Sequence, residues 1–208
     1  MERIAYLIKH RFPSVFRFIE TLARMVTALR YGRSAQRALS QARIEGQVRG
    51  APAVIRPLNL SDAVTLHEFL NRLPEEHVEH FHPHGFEQQV LGSIIQSRAY
   101  MTYGLFVDEE LVGYALLKLA PTGSAYIGRL LHPQYAGMGL GSLLATYLYW
   151  QASTAGLRPR STISKQNEAS LGSHRAAGSF RVVSELPNDY LLIEFPSEQR
   201  DAPALDIQ

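Results

Sequence analysis

From residue 53 onward, short apolar blocks bounded by turn residues alternate with stretches of three- and four-residue periodicity. "AVIRPL" reads as a strand cut at Pro57, since proline has no N–H to give to a ladder. "LSDAVTLHEFLNRL" follows as a helix with Ser61 or Asp62 as its cap. Beyond a polar, histidine-rich loop, "PEEHVEHFHPHG", the run "FEQQVLGSIIQSR" gives a second helix. "TYGLFV" and "LVGYALLKLA" flank "DEE" as a hairpin, and "SAYIGRLL" is a further strand ending at His132 and Pro133. "GLGSLLATYLYWQASTAG" puts Leu140, Leu143, Leu144, Tyr147 and Leu148 on one side of a helix. A strand "RSTISK", a short helix "NEASLGSHRAAG" and a hairpin of "FRVVSEL" and "YLLIEF" across "PND" complete the pattern. Hairpins early and late, joined by helical crossovers, predict a three-layer α/β domain: a mixed sheet with helices on both faces. The polar tail from Pro196 reads as loose, which sets the expected main domain at residues 51–196 and a flexible tail at 197–208.

Residues 1–50 form a different kind of segment. "FPSVFRFIETLARMVTALRYG" predicts a helix, with Ser14 as cap, Val15, Ile19, Leu22, Val26 and Leu29 on one face, and Gly32 as its stop. A second, weaker helix is expected over residues 34–44, then a linker at "GQVRGAP". Ten Lys and Arg against three Glu give this arm a net charge of +7; the whole chain is at +2, so the rest carries −5. The arm is thus a basic helical extension. Residues 14–31 suit either an anionic membrane surface or packing on the main domain or a partner subunit, including a second copy. Nucleic acid is not expected as a partner, because the arm lacks interleaved aromatic and basic residues. The chain has no cysteine, which excludes disulfides, a thiol nucleophile and thiolate metal ligands. No apolar run is long enough to span a membrane and no secretory signal is legible, so a cytoplasmic protein is expected.

The densest signal is "HPQYAGMGLGSLL", residues 132–144, with Gly137, Gly139 and Gly141 between a strand and a helix. A helix N-terminus entered through glycines presents unpaired N–H groups and the positive end of the dipole, which suits phosphate. A Walker loop would need Lys after the glycines, and a dinucleotide fingerprint would need G-x-G-x-x-G with a later acid; neither is present. The run Gln134-Tyr135-Ala136-Gly137-Met138-Gly139 matches Q/R-x-x-G-x-G. Some 30 residues on, "NEASLGSHRAAGSF" opens a helix with Asn167 and carries Ser170 and His174. The two motifs in this order resemble the GNAT N-acetyltransferases over roughly residues 53–195. One departure is that Ser179 separates Gly178 from Phe180, which points to a shifted strand or a bulge.

The resemblance implies a mostly antiparallel sheet and acetyl-CoA as acyl donor, passed directly to a primary amine of a small molecule. It places the backbone amides from Tyr135 through Ala136, Gly137, Met138, Gly139 and Leu140 to Gly141 on the CoA pyrophosphate, with Gln134 at the loop entry. Asn167 and Ser170 would lie along the pantetheine arm, and His174 would protonate the leaving thiolate. A backbone N–H near Leu130 or Leu131 would hold the oxyanion. The alternative is a GNAT-fold module that binds CoA or a partner without turnover. Its ground is the lack of any Asp or Glu between Leu111 and Lys165, which leaves "SAYIGRLL" without the glutamate many relatives carry. The candidates for the base are therefore Tyr126 on that strand and the histidines of "EEHVEHFHPH", with His82 and His84 foremost and His77, His80, Glu76 and Glu79 beside them. The histidine spacing matches no helical metal-ligand pair, so no metal is expected.

Overall fold

The computed structural model describes residues 13–208 apart from His82, Ser197 and Gln199, and the side chains of residues 13–18 lie outside the description. His82 therefore stands outside the described residues. Helix α1 (Pro13–Ser40) leads into strands β1 (Ile44–Val48) and β2 (Ala51–Pro57). Helices α2 (Ala63–Arg72), α3 (Glu75–Val78) and α4 (Gln88–Gln96) precede β3 (Tyr100–Val107), β4 (Glu110–Leu119) and β5 (Ser124–Leu131). Then come α5 (Leu140–Thr154), β6 (Arg158–Ser164), α6 (Glu168–Ala177), β7 (Arg181–Leu186), β8 (Tyr190–Glu194) and β9 (Leu205–Ile207).

The nine strands form one sheet in the order β7-β8-β6-β5-β4-β3-β2-β1-β9. Pairing is antiparallel except at β5/β6 and β1/β9. The interior strand β3 is buried along its whole length, as expected for a strand covered on both faces. On one face α1 and α5 cover a core built around Met101, Tyr103, Leu117, Leu144 and Tyr147. On the other, α2 and α4 cover Leu66, Leu70, Leu91, Tyr114 and Leu116.

Four local expectations are corrected. First, α1 runs unbroken through Gly32, which keeps a negative φ. Ala35 and Ala38 are buried beneath it, so tertiary burial carries the helix past the glycine. Second, residues 46–52 form no linker. Arg49 (φ 52°) and Gly50 (φ 79°) make a two-residue turn with both φ positive, the geometry that suits a tight hairpin. β1 and β2 pair around it from Ile44↔Ile55 to Val48↔Ala51. Third, part of the tail is not loose: β9 adds to the edge of β1 in parallel, with Gly46 opposite Leu205. A Cβ on Gly46 would lie 1.6 Å from the Leu205 carbonyl oxygen, so the close approach of the last strand requires glycine there. Fourth, Asp62 stands at the N-cap of α2 as expected but makes no side-chain cap bond there; the capping lies one turn earlier, where the Asn59 side chain accepts from the Ser61 N–H and Asp62 accepts from the Asn59 N–H. Asp62 also holds Arg56 through paired contacts of 2.8 Å. The irregularity anticipated after Gly178 is present as a register shift between Val182 and Ser184.

Candidate active site

β5 and β6 pair only where residues 124–126 meet 158–160. Beyond Tyr126 the two strands separate. β5 stays on β4 through Gly113↔Leu131, while β6 follows β8 through Ser164↔Tyr190. The gap is a cleft of about 810 Å³, lined by residues 127–131 on one wall and 161–164 on the other. Its open edge carries backbone groups. The His132 N–H donates to Val112 on β4. Successive residues of a strand turn their N–H to opposite sides, so those of Leu131, Arg129 and Ile127 face the cleft. Of the two residues expected to hold an oxyanion, Leu131 presents its N–H to the cleft; Leu130 turns its own toward β4 and buries its side chain in the core.

One end of the cleft is the glycine turn. Gly137 (φ 77°) and Gly139 (φ 83°) are both left-handed, which is why glycine stands at each. Gly139 caps α5 with no side-chain hydrogen bond. Helix geometry leaves the N–H groups of Leu140, Gly141 and Ser142 without intrahelical acceptors, and Leu143 is the first to close on Gly139. Tyr135, Ala136, Gly137, Gly139 and Gly141 line the cleft. Gln134 and Met138 do not. Gln134 belongs to a tight turn over Pro133–Tyr135 whose N-cap is His132. The Leu140 side chain is buried in the core, so only its backbone is offered. Asn167 and Ser170 line the cleft at the start of α6, where the Asn167 side chain accepts from the Ser170 N–H at 2.9 Å. Arg158, Arg160 and Lys165, which carry positive charge nearby, are engaged by the Thr122 carbonyl, Glu194 and Glu185 respectively.

His174 has a different setting from the one expected of an acid. It is fully buried and lies off the cleft lining. Arg129 Nη1 donates to its Nε2 at 2.9 Å, and Tyr149 meets its Nδ1. A guanidinium cannot accept, so Nε2 holds the lone pair and Nδ1 carries the proton toward the Tyr149 oxygen. Burial, and then the Arg129 charge, push the imidazole down to about 2. His174 is therefore neutral, with its one N–H committed, and it serves to hold Arg129. Arg129 reaches from β5 to the Gly141 carbonyl at 3.1 Å and to the Ser173 hydroxyl, tying the strand to the first turns of α5 and α6. Desolvation lowers its guanidinium to about 10.

A stability prediction follows from His174. Unfolded, it takes up a proton near pH 6.5; folded, it stays neutral down to about pH 2. The unfolded state thus binds more protons below pH 6.5, and the stability owed to His174 is lost as pH falls from there. Urea melts are expected to show a loss from this group that steepens below pH 6.5 toward about 1.4 kcal/mol per pH unit near pH 5. His174→Gln should remove that slope, and a slope unchanged in the variant would refute the assignment.

The other expected bases are dispersed. Tyr126 sits where β5 last pairs with β6, opposite Arg160, and does not line the cleft. His84 lies outside the cleft, in a separate hollow with His67 and Asn71. Its Nδ1–H donates to the Gly85 carbonyl and its Nε2 accepts from the Tyr114 hydroxyl at 2.9 Å, and burial lowers its pKa. The loop nevertheless reaches the site. Its first residues coil into α3, which brings Glu76, His77 and His80 into the cleft lining. His77 Nε2 lies 2.7 Å from the Leu131 carbonyl oxygen. A carbonyl only accepts, so Nε2 is protonated and Nδ1 keeps the lone pair. The signal for His77 was the run "PEEHV", in which a proline followed by two acids favours a first helical turn.

The sequence profile of the Acetyltransferase (GNAT) family matches residues 66–178, more than half of the chain. The chain belongs to the GNAT family. No curated protein sequence matches it. Among solved structures it is similar to the GNAT domain of S. lividans PAT, at TM-score 0.66 and 16% identity over 75% of this chain and 97% of that one. It is also similar to the PaiA N-acetyltransferase of Thermoplasma acidophilum in complex with coenzyme A, at 0.56 and 22% over 68% and 97%. A third is Mycobacterium smegmatis RimJ in complex with CoA-disulfide, at 0.54 and 19% over 74% and 86%. At these identities the likeness is one of fold. It agrees with the mixed, mostly antiparallel sheet.

Proposed function

We propose that this GNAT protein transfers an acetyl group from acetyl-CoA to a primary amine of a small molecule, directly within a ternary complex. The observation that carries the reading is the cleft between β5 and β6, lined both by the glycine turn that precedes the unpaired N–H groups of α5 and by His77, which lies on the Leu131 carbonyl. The amides of the glycine turn and of the first turn of α5 suit the pyrophosphate. The Leu131 N–H suits the oxygen of the thioester carbonyl, whose negative charge grows as the amine adds. His77 Nδ1 takes the ammonium or amine proton, directly or through water. Electron density passes from the amine nitrogen to the carbonyl carbon, and the C–S bond then breaks to release the thiolate. With an ordinary thiol pKa near 8.5, the thiolate departs without a dedicated acid, so the commitment of His174 to Arg129 does not obstruct the step. No cysteine is available for an acyl-enzyme, which favours direct transfer.

Two measurements on the full chain test this. Saturating acetyl-CoA, at a hundred times its dissociation constant, adds about 2.7 kcal/mol and should raise Tm by several degrees. Release of free thiol should then appear with some member of a panel of small primary amines. No thermal shift removes the reading altogether. A shift with no turnover on any amine, amino sugar or peptide N-terminus makes the protein a CoA-binding module instead.

A further inference from the structure

The outward face of α1 carries a surface the proposed reaction does not use. Ile19, Leu22, Met25 and Val26 are 44–57% exposed, and Leu29 is 85% exposed. At 100° per residue these five fall within an arc of about 120°. The opposite face holds Thr27, Ala35 and Ala38, all buried against the domain. The stripe therefore points away from the protein's own core. α1 packs on the main domain through its opposite face, and the apolar stripe is left for a membrane surface or a partner subunit.

Charge on the same helix selects among the remaining occupants. Arg33 and Arg37 continue the outward face beyond Leu29 and both are exposed, while Arg30 donates to the Pro121 carbonyl of the domain at 3.1 Å. The only acid of the helix, Glu20, is turned to the domain, where it lies 3.9 Å from Lys118. The twelve residues before α1 add Arg3, Lys9 and Arg11 among Ile4, Leu7, Ile8 and Phe12. The net +7 of residues 1–50 stands against −5 on the remainder, so the positive charge is confined to the arm. Two copies placed stripe to stripe would set two arms of net +7 against each other. A nucleic acid would match the charge and leave the leucines uncovered. An anionic bilayer satisfies both, with its headgroups meeting arginine and its acyl boundary accepting the apolar side chains. Among the described residues no helix is long and apolar enough to cross a membrane, so α1 would lie along the surface.

We propose that the outward face of α1 docks this protein on an anionic lipid surface through Ile19, Leu22, Met25, Val26 and Leu29, with Arg33 and Arg37 on the headgroups. The test is co-sedimentation of the full chain with vesicles of phosphatidylcholine alone and of phosphatidylcholine with about one-third phosphatidylglycerol. Binding is expected to the anionic vesicles only, and to weaken as salt is raised. Arg33→Gln with Arg37→Gln should lower the partition coefficient about fivefold per charge removed. Leu22→Glu with Leu29→Glu should lower it at least about tenfold. All four side chains are exposed, so both variants should keep the wild-type Tm and its response to acetyl-CoA, which separates this result from a failure of the acetyltransferase reading. The proposal is overturned if the wild type ignores anionic vesicles, or if it binds neutral vesicles equally well. It is equally overturned if Leu22→Glu with Leu29→Glu leaves binding unchanged, or if that variant splits a dimer while vesicles bind neither form.

Discussion

His77→Gln is expected to lower kcat/KM for amine acetylation by about a hundredfold or more, while leaving the fold and the stabilisation by acetyl-CoA intact. Glutamine can present an N–H to the Leu131 carbonyl from nearly the same place as Nε2, which donates there at 2.7 Å. The strand end and its cleft-facing amide should therefore keep their position. Glutamine has no basic nitrogen to replace Nδ1, so proton removal from the amine is the one capacity lost. Steady-state thiol release measured beside thermal shifts with acetyl-CoA separates these effects. A variant that retains activity within a few-fold would transfer the base role to Glu76 or His80, which also line the cleft. A variant that loses both activity and the thermal response would mean that His77 acts through the shape of β5. His84→Gln supplies the contrast, since its ring nitrogens are taken by Gly85 and Tyr114 away from the cleft, and it should cost turnover little.

The two histidines show where sequence reading reached its limit. The loop enters the candidate list through the family resemblance, in which the loop between the first two helices borders the acceptor pocket. Which of its histidines enters the cleft depends on one turn of helix after Pro74 and on the ring of Phe81, which packs among His84, Phe86 and Tyr114. Such a choice is made by packing, and periodicity carries no trace of it. The glycine turn was legible for the opposite reason. A left-handed φ at 137 and 139 is a local demand that few residues other than glycine meet, so the requirement is written in the residues themselves. His174 was correctly placed on a helix, but its partner Arg129 lies 45 residues away on another element. Non-local pairing also explains the errors at the termini. "IEGQV" is short, half polar and interrupted by glycine, so it reads as a linker until β9 arrives from the far end of the chain to pair with it. The α/β architecture survived these errors because the central strands and their covering helices carry strong, local patterns of burial.

Gly139→Glu is expected to raise the dissociation constant for acetyl-CoA by at least about a hundredfold and to abolish its thermal shift, with a smaller cost to folding. The backbone at Gly139 has φ 83° and ψ −8°, where an L-residue is strained by roughly 1–2 kcal/mol. A Cβ there would meet nothing within 4 Å, so strain from the neighbours adds nothing further. The new carboxylate would also sit at the N-terminus of α5, where the dipole favours an anion by about 0.3–1 kcal/mol and offsets part of that strain. The same attraction is what defeats the ligand. The glutamate supplies a tethered anion to the amides of Leu140, Gly141 and Ser142, and it repels the pyrophosphate proposed to bind there. Gly139→Ala separates the two causes: it carries the backbone strain without the charge, and should weaken acetyl-CoA far less. If Gly139→Glu folds and binds acetyl-CoA as the wild type does, the phosphates lie elsewhere and the turn has only a structural role. If the alanine variant is as defective as the glutamate, the backbone of the turn, rather than the electrostatics of the helix end, sets the affinity.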